Sequence, residues 1–191
     1  MARLRLPSSP DVRAPVVARA VHAIAGSDPG FDGETLVREL PIRFSDCSRA
    51  LANGDADRLR NWLTPDLFEQ WQRGQAFQGS ATADPSDMWV EDARVVWAEH
   101  GPAEDRLVVG IDCLSQGEDS LSAPTQYWVL VRAAGSKTRP GPAGQCPDCG
   151  APSNDSVSFC PYCSAALGSL RGWRLQEADD EVDWYEGPPL P

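Results

Sequence analysis

Apolar positions along the chain fall into two regimes. From Ala14 to Gln75 they recur at helical spacing. Val17, Val21 and Ile24 step by four and three, which makes one apolar stripe over the short helix Ala14–Ala25, with Arg13 and Arg19 off it. The run SDPGFDG then breaks the pattern. Phe31, Leu36, Leu40, Phe44, Cys47 and Leu51 mark one buried face of a longer helix, and Asn53-Gly54 ends it. Pro41 lies inside this series, so a kink or a break between two helices is expected there. A short helix anchored by Leu59, Trp62 and Leu63 follows. Thr64-Pro65 then restarts the helical pattern, with Thr as N-cap, Pro at the first helical position and Asp66 in the first turn. Leu67, Phe68, Trp71 and Gln75 continue it, and Gly79–Asp87 reads as a loop.

Beyond Met88 the period falls to two. In MWVEDARVVWAE the odd positions Trp89, Ala93, Val95 and Trp97 are mostly apolar, and Asp92 and Arg94 occupy the other face. Leu107, Val109, Ile111 and Cys113 alternate in the same way, with Asp112 opposite. TQYWVLVR, from Thr125 to Arg132, is a third strand rich in β-branched and aromatic residues. Leu170–Glu177 reads as a fourth. Helices first and then an antiparallel meander make an α+β plan, not the alternation of a parallel α/β sheet.

Composition narrows the function classes. The chain has 191 residues with 41% hydrophobic and 24% charged, enough for one medium domain with a real core. Its net charge is −11, which argues against a nucleic-acid binder. The charge is uneven: the first 25 residues carry +3, and Glu177–Glu186 carries −6 with no basic residue. No stretch approaches the roughly 20 apolar residues of a membrane span. MARLRLPSSP lacks the apolar core of a secretory signal, so a cytoplasmic protein with reduced cysteines is expected.

Four of the six cysteines crowd into CPDCGAPSNDSVSFCPYC, residues 146 to 163. Cys146 and Cys149 form one C-x-x-C, and Cys160 and Cys163 form another. Each pair has Pro after its first cysteine, and Gly150 follows the first pair where a tight turn favours it. Two such knuckles can turn four thiolates toward one point, the donor set of a tetrahedral zinc ion in a compact ribbon. Iron in the same cage is not excluded by thiolate geometry. With all four positions filled by cysteine, no coordination site stays open to water, so the metal is expected to be structural. Metal binding should then drive the folding of so short a segment. Cys47 and Cys113 lie on apolar faces and read as buried thiols. His22 and His100 stand in no ligand spacing to any of them.

These motifs together resemble the bacterial Tim44-like domain, named after a mitochondrial inner-membrane import-motor subunit, in the version with a zinc ribbon inserted before the last strand. The resemblance rests on DPGFD at Asp28–Asp32, GDADRLRNWLTPDLFEQW at Gly54–Trp71, YWVLVR at Tyr127–Arg132, and CPDCG with CPYC. It implies a SnoaL-like cone, with helices packed on a curved antiparallel sheet. The expected division is an N-terminal extension with a short helix over 1–25, the cone over 26–138 and 168–186, the ribbon over 139–167, and a tail over 187–191.

Three functional readings follow. The first is a non-enzymatic binding or adaptor domain whose cone takes a protein or a small apolar ligand, with Trp89, Trp97, Tyr127 and Trp128 lining a pocket or packing behind it. The second is a small SnoaL-like or ketosteroid-isomerase-like enzyme, in which a carboxylate within an apolar pocket acts as acid and base. Its candidates, Asp92 and Asp112, fall on the polar face of the strands. The third is a peripheral membrane or protein contact through the basic start and the acidic aromatic tail EVDWYEGPPLP.

Overall fold

The computed structural model describes residues 5–77, 88–115, 125–138, 144–153 and 157–186. A three-residue strand, β1 (Arg5–Pro7), precedes four helices: α1 (Pro10–Ser27), α2 (Gly33–Ala52), α3 (Ala56–Trp62) and α4 (Pro65–Gln72). The antiparallel sheet that follows has the order β2 (Met88–His100), β3 (Glu104–Ser115), β4 (Thr125–Ala133) and β5 (Arg174–Asp179). The α+β plan is therefore as the periodicity predicts. The cysteine segment interrupts the connection between β4 and β5. The expected loop over Gly79–Asp87 lies outside the described residues, as do the ends at 1–4 and 187–191.

The helix starts follow from local chemistry. Asp32 caps α2 by accepting from the Glu34 amide at 3.2 Å, and Asp55 caps α3 by accepting from the Arg58 amide at 3.2 Å. Thr64 caps α4 through the Leu67 amide, and Pro65 takes the first helical position. Thr64 also donates its own amide to the Leu175 carbonyl at 2.9 Å, which ties the α3–α4 corner to the edge of β5. Thr64→Ala should cost about 1 kcal/mol. In a chain of this length that is a fall of roughly 2–4 °C in Tm, and circular dichroism melting would show it.

The break expected at Pro41 does not occur: α2 runs unbroken from Gly33 to Ala52. Proline forfeits one helical hydrogen bond. That loss is outweighed because Leu36, Leu40, Phe44 and Cys47 stay in line and bury against the sheet with at most 3% exposure. Two other boundaries move. α4 stops at Gln72, before Gln75, as Gly74 takes φ +68°. The fourth sheet strand begins at Arg174, because residues 170–172 turn; Leu170 and Trp173 are buried ahead of it.

The inner face of the sheet meets α2 and α3. Leu107, Val109, Ile111, Trp128, Leu130 and Leu175 pack there with Leu36, Leu40, Phe44, Leu59, Trp62 and Trp173. α1 lies along β2 and sends Val17, Val21 and Ile24 to this core, the stripe its spacing predicts. The outer face carries a smaller cluster of Val96, Trp97, Val108, Val129 and Val131. Leu6 of β1 covers it, and Val182 packs beside it. β1 (Arg5–Pro7) pairs in parallel with β6 (Asp183–Tyr185), so the basic start and the acidic tail of the chain meet on this face. Arg13 stacks on the Trp184 ring at 4.6 Å, and Arg5 lies over Tyr185 at 5.7 Å.

Candidate metal centre

The two C-x-x-C turns are built alike. In the first, the Cys146 amide donates to the Ala151 carbonyl at 2.7 Å and the Gly150 amide to the Cys146 carbonyl at 2.8 Å. In the second, the Cys160 amide donates to Ala165 at 2.9 Å and the Ser164 amide to Cys160 at 2.9 Å. Each turn therefore needs a left-handed residue directly after its second cysteine. Gly150 takes φ +72° freely, whereas Ser164 accepts φ 58° at some strain. The repeat brings four sulfurs within 4.8 Å of one another. Cys146 Sγ and Cys163 Sγ are 3.8 Å apart, and Cys149 Sγ and Cys160 Sγ 3.7 Å. A tetrahedral S₄ cage with metal–sulfur bonds of about 2.3 Å has edges of about 3.8 Å. The donor set and its spacing fit one metal ion. None of the six cysteines forms a disulfide. Cys146 and Cys160 are buried, while Cys149 and Cys163 lie on the outer side.

The centre is bolted to the helical layer. Arg43 of α2 is 1% exposed. Its guanidinium donates to the Ser158 carbonyl at 2.8 Å and to the Leu167 carbonyl at 2.6 Å, the residues flanking the second knuckle. It lies between the rings of Trp62 and Phe159, 4.9 Å from each. Burial pulls its pKa down to about 10, against the raising effect of Glu39, Asp46 and Cys47. Asp46 accepts from the Ser158 amide at 3.0 Å, and Glu39 from the Ser169 amide and hydroxyl at 2.8 and 2.7 Å. Phe159 itself lies in the main core. Burial pushes the Cys47 thiol up to about 12 and that of Cys113 to about 11, so both are inert, as their apolar positions predict.

A second buried polar cluster joins the turn after α1 to the sheet. Arg132 of β4 donates to Asp28 at 2.6 Å and to Asp105 of β3 at 2.9 Å, with all three side chains at most 1% exposed. Asp28 also accepts from the Thr138 amide and hydroxyl at 2.9 and 2.8 Å. His100 Nδ1 sits 2.6 Å from the other Asp105 oxygen. Arg132 stacks over Trp173 at 4.8 Å and Phe31 at 5.3 Å. Gly30 is required here, since a Cβ would stand 2.4 Å from the Thr138 carbonyl oxygen. Thus DPGFD supplies a buried anion, a tight approach and the α2 cap. The sequence shows these charges but not their burial, because Asp28 and Arg132 are 104 residues apart.

The four aromatic pocket candidates are not brought together. Trp128 faces the core between Phe44, at 5.3 Å, and Trp62, at 6.1 Å. Trp97 and Tyr127 face the other side of the sheet. Trp89 is 41% exposed. The expectation that Trp97 shares a face with Val95 fails because β2 carries bulges between Val90 and Asp92 and between Val95 and Trp97. Each bulge resets the alternation. Tyr127 packs edge-on to Trp184 at 5.9 Å. With Thr125, Asp180, Glu181 and Val182 these two line an open groove of about 350 Å³. Asp92 and Asp112 lie on the outer face and pair with Arg94, Asp92 at 3.2 Å. Burial raises the Asp112 pKa, but bonds from Arg94 and from Thr125 at 2.5 Å outweigh it and hold the carboxyl below its usual range. That is the reverse of what an acid–base carboxylate in an apolar pocket needs.

Helices on one face of an antiparallel meander, with a four-cysteine insert before the last strand of the sheet, define an α+β domain of the cone type. The family model for the Tim44-like domain matches residues 17–140. The chain belongs to the Tim44-like domain family. Searches of curated proteins and of solved structures gave no match.

Proposed function

We propose that this protein is a non-enzymatic binding or adaptor domain that engages protein or membrane-associated partners, with a structural zinc ion in its ribbon. The observation that carries the reading is the state of the inner face. It is filled by Phe44, Trp62, Trp128 and Trp173, each at most 3% exposed, where a catalytic cone would hold a carboxylate in a roomy pocket. Family membership supports the same reading. No described helix is long and apolar enough to cross a membrane, so membrane contact on this reading is peripheral. The groove lined by Tyr127 and Trp184 and the exposed Trp89 and Tyr162 are the aromatic surfaces open to a partner.

Zinc suits the centre because four thiolates satisfy a d¹⁰ ion that needs no open position. Elemental analysis of the intact purified chain should give one zinc per chain and a colourless solution; a coloured, iron-loaded protein would replace zinc with iron. For the binding role, partners captured from solution and anionic vesicles should be compared on the wild type and on Trp184→Ala. Loss of a contacting tryptophan should weaken binding at least about fivefold. Binding unchanged by both Trp184→Ala and Trp89→Ala would remove these surfaces from the reading. Turnover of a substrate abolished by Asp112→Asn would sink it.

A further inference from the structure

We propose that Arg43 couples metal occupancy of the ribbon to the integrity of α2, so that the four-cysteine centre acts as a latch on the core of the domain. The inference rests on the structural-metal reading above. An appended metal knuckle would be expected to fold and unfold by itself. Here the hydrogen bonds run the other way. Arg43 is a buried cation whose two hydrogen bonds both end on ribbon carbonyls, Ser158 and Leu167. Those two carbonyls are brought within its reach only when the second knuckle is closed. The Leu167 amide donates to the Ser158 carbonyl at 2.9 Å across the base of that hairpin, and the metal-ligand pair Cys160 and Cys163 lies between them. The remaining buried donor of Arg43, Nε, has no hydrogen-bond partner among the described residues. If the hairpin opens, the guanidinium loses both carbonyl acceptors and keeps only the through-space attraction of Glu39 and Asp46 on its own helix. A buried charge stripped of its partners cannot stay where it is. It must leave the space between Trp62 and Phe159, and α2 must loosen around it.

Three further contacts make the link directional. Phe159, inside the ribbon, packs edge-on against Trp62 at 6.5 Å and belongs to the same core as Phe44 and Trp128. Asp46 and Glu39, one turn to either side of Arg43 on α2, hold the Ser158 and Ser169 amides. Opening the hairpin thus releases α2 along the stretch from Glu39 to Asp46. The next residue, Cys47, is 1% exposed and faces the core. Cys113 is 2% exposed, and its Sγ donates to the Ile111 carbonyl within its own strand β3, so it serves as the internal reference.

The test uses the intact chain, its metal content measured first, and alkylation with iodoacetamide before and after chelation. Modification at each cysteine is read by peptide mass spectrometry. With metal bound, neither Cys47 nor Cys113 should react. After chelation the four ligand thiols should react, and Cys47 should be modified at least about tenfold faster than Cys113, because local opening replaces global unfolding as its route to solvent. In Arg43→Met, which leaves no charge to strand, metal content should stay at one per chain and the Cys47 excess should vanish. Asp46→Asn, a milder change, should reduce the excess without removing it. If the ligand thiols react fully in the stripped wild type while Cys47 stays as protected as Cys113, the ribbon is an independent module and the latch is refuted. A chain that holds no metal as purified and takes up none on addition refutes the structural-metal reading instead, and the latch with it.

Discussion

Asp28→Ala is expected to lower Tm by about 10 °C at neutral pH, one of the two largest effects of any single change considered. Asp28, Arg132 and Asp105 are all at most 1% exposed, and Arg132 spends its bonds on the two carboxylates. Removing one partner of a buried ion pair costs about 3–5 kcal/mol, because the other charge stays behind without it. In a chain of this length each kcal/mol is roughly 2–4 °C. The Thr138 amide and hydroxyl also lose their acceptor. The pH dependence fixes the sign independently. Burial would raise the Asp28 pKa, but the bonds from Arg132 and Thr138 outweigh it and hold it below the ordinary 3.8. The folded chain therefore binds fewer protons at this site than the unfolded chain. Its contribution is complete above about pH 5, falls as pH drops through 3.8, and is lost below the folded value. Asp28→Asn should flatten the acid limb of the Tm–pH profile between about pH 5 and 3. Arg132→Met should flatten the acid limb further: it strands two carboxylates together, so its deficit against wild type also shrinks as acid neutralises one of them. An unchanged acid limb in Asp28→Asn would show that the pair contributes nothing to stability.

The order of elements and the four-cysteine cluster are legible in the sequence because both are local. Thr64-Pro65 caps a helix through an amide three residues away, and C-x-x-C closes a turn on itself. What the sequence hides is register and partnership. The β2 bulges at Val90/Asp92 and Val95/Trp97 leave the composition of the strand unchanged yet move Trp97 to the other face. The pairing of Arg5–Pro7 with Asp183–Tyr185 spans almost the whole chain and involves three residues on each side, too few for any periodicity to show. Arg43 reads as a polar interruption of an apolar helix face. Only the return of the chain 115 residues later supplies the carbonyl that allows it to be buried. Pro41 shows the converse, a strong local signal overruled by the packing of Leu40 and Phe44 on either side of it.

The other large effect separates the cysteines by role. Cys160→Ser is expected to take bound metal from one per chain to none detectable, and to lower Tm by at least about 10 °C. Structural zinc sites in isolated fingers contribute on the order of 10–16 kcal/mol of apparent binding free energy. On the structural-metal reading, that energy would hold closed the hairpin whose carbonyls Arg43 bonds and which carries Phe159. Cys160 is 0% exposed, so water cannot reach the vacated ligand position. Cys149→Ser should behave differently. Its position lies on the outer side, where water can complete a site with three thiolates. That variant should retain metal at reduced affinity and lose less in Tm. Cys47→Ser is the control. It buries a hydroxyl in an apolar site, a cost of about 1–3 kcal/mol, but leaves all four ligands, so metal content should stay at one per chain. Elemental analysis and thermal melting of the three variants rank them as Cys160→Ser, then Cys149→Ser, for metal loss, with Cys47→Ser unchanged. Metal loss from Cys47→Ser would place that residue among the ligands. Equal loss from Cys149→Ser and Cys160→Ser would mean that the inner and outer positions are equivalent, and that burial of one side of the cage contributes nothing to holding the ion.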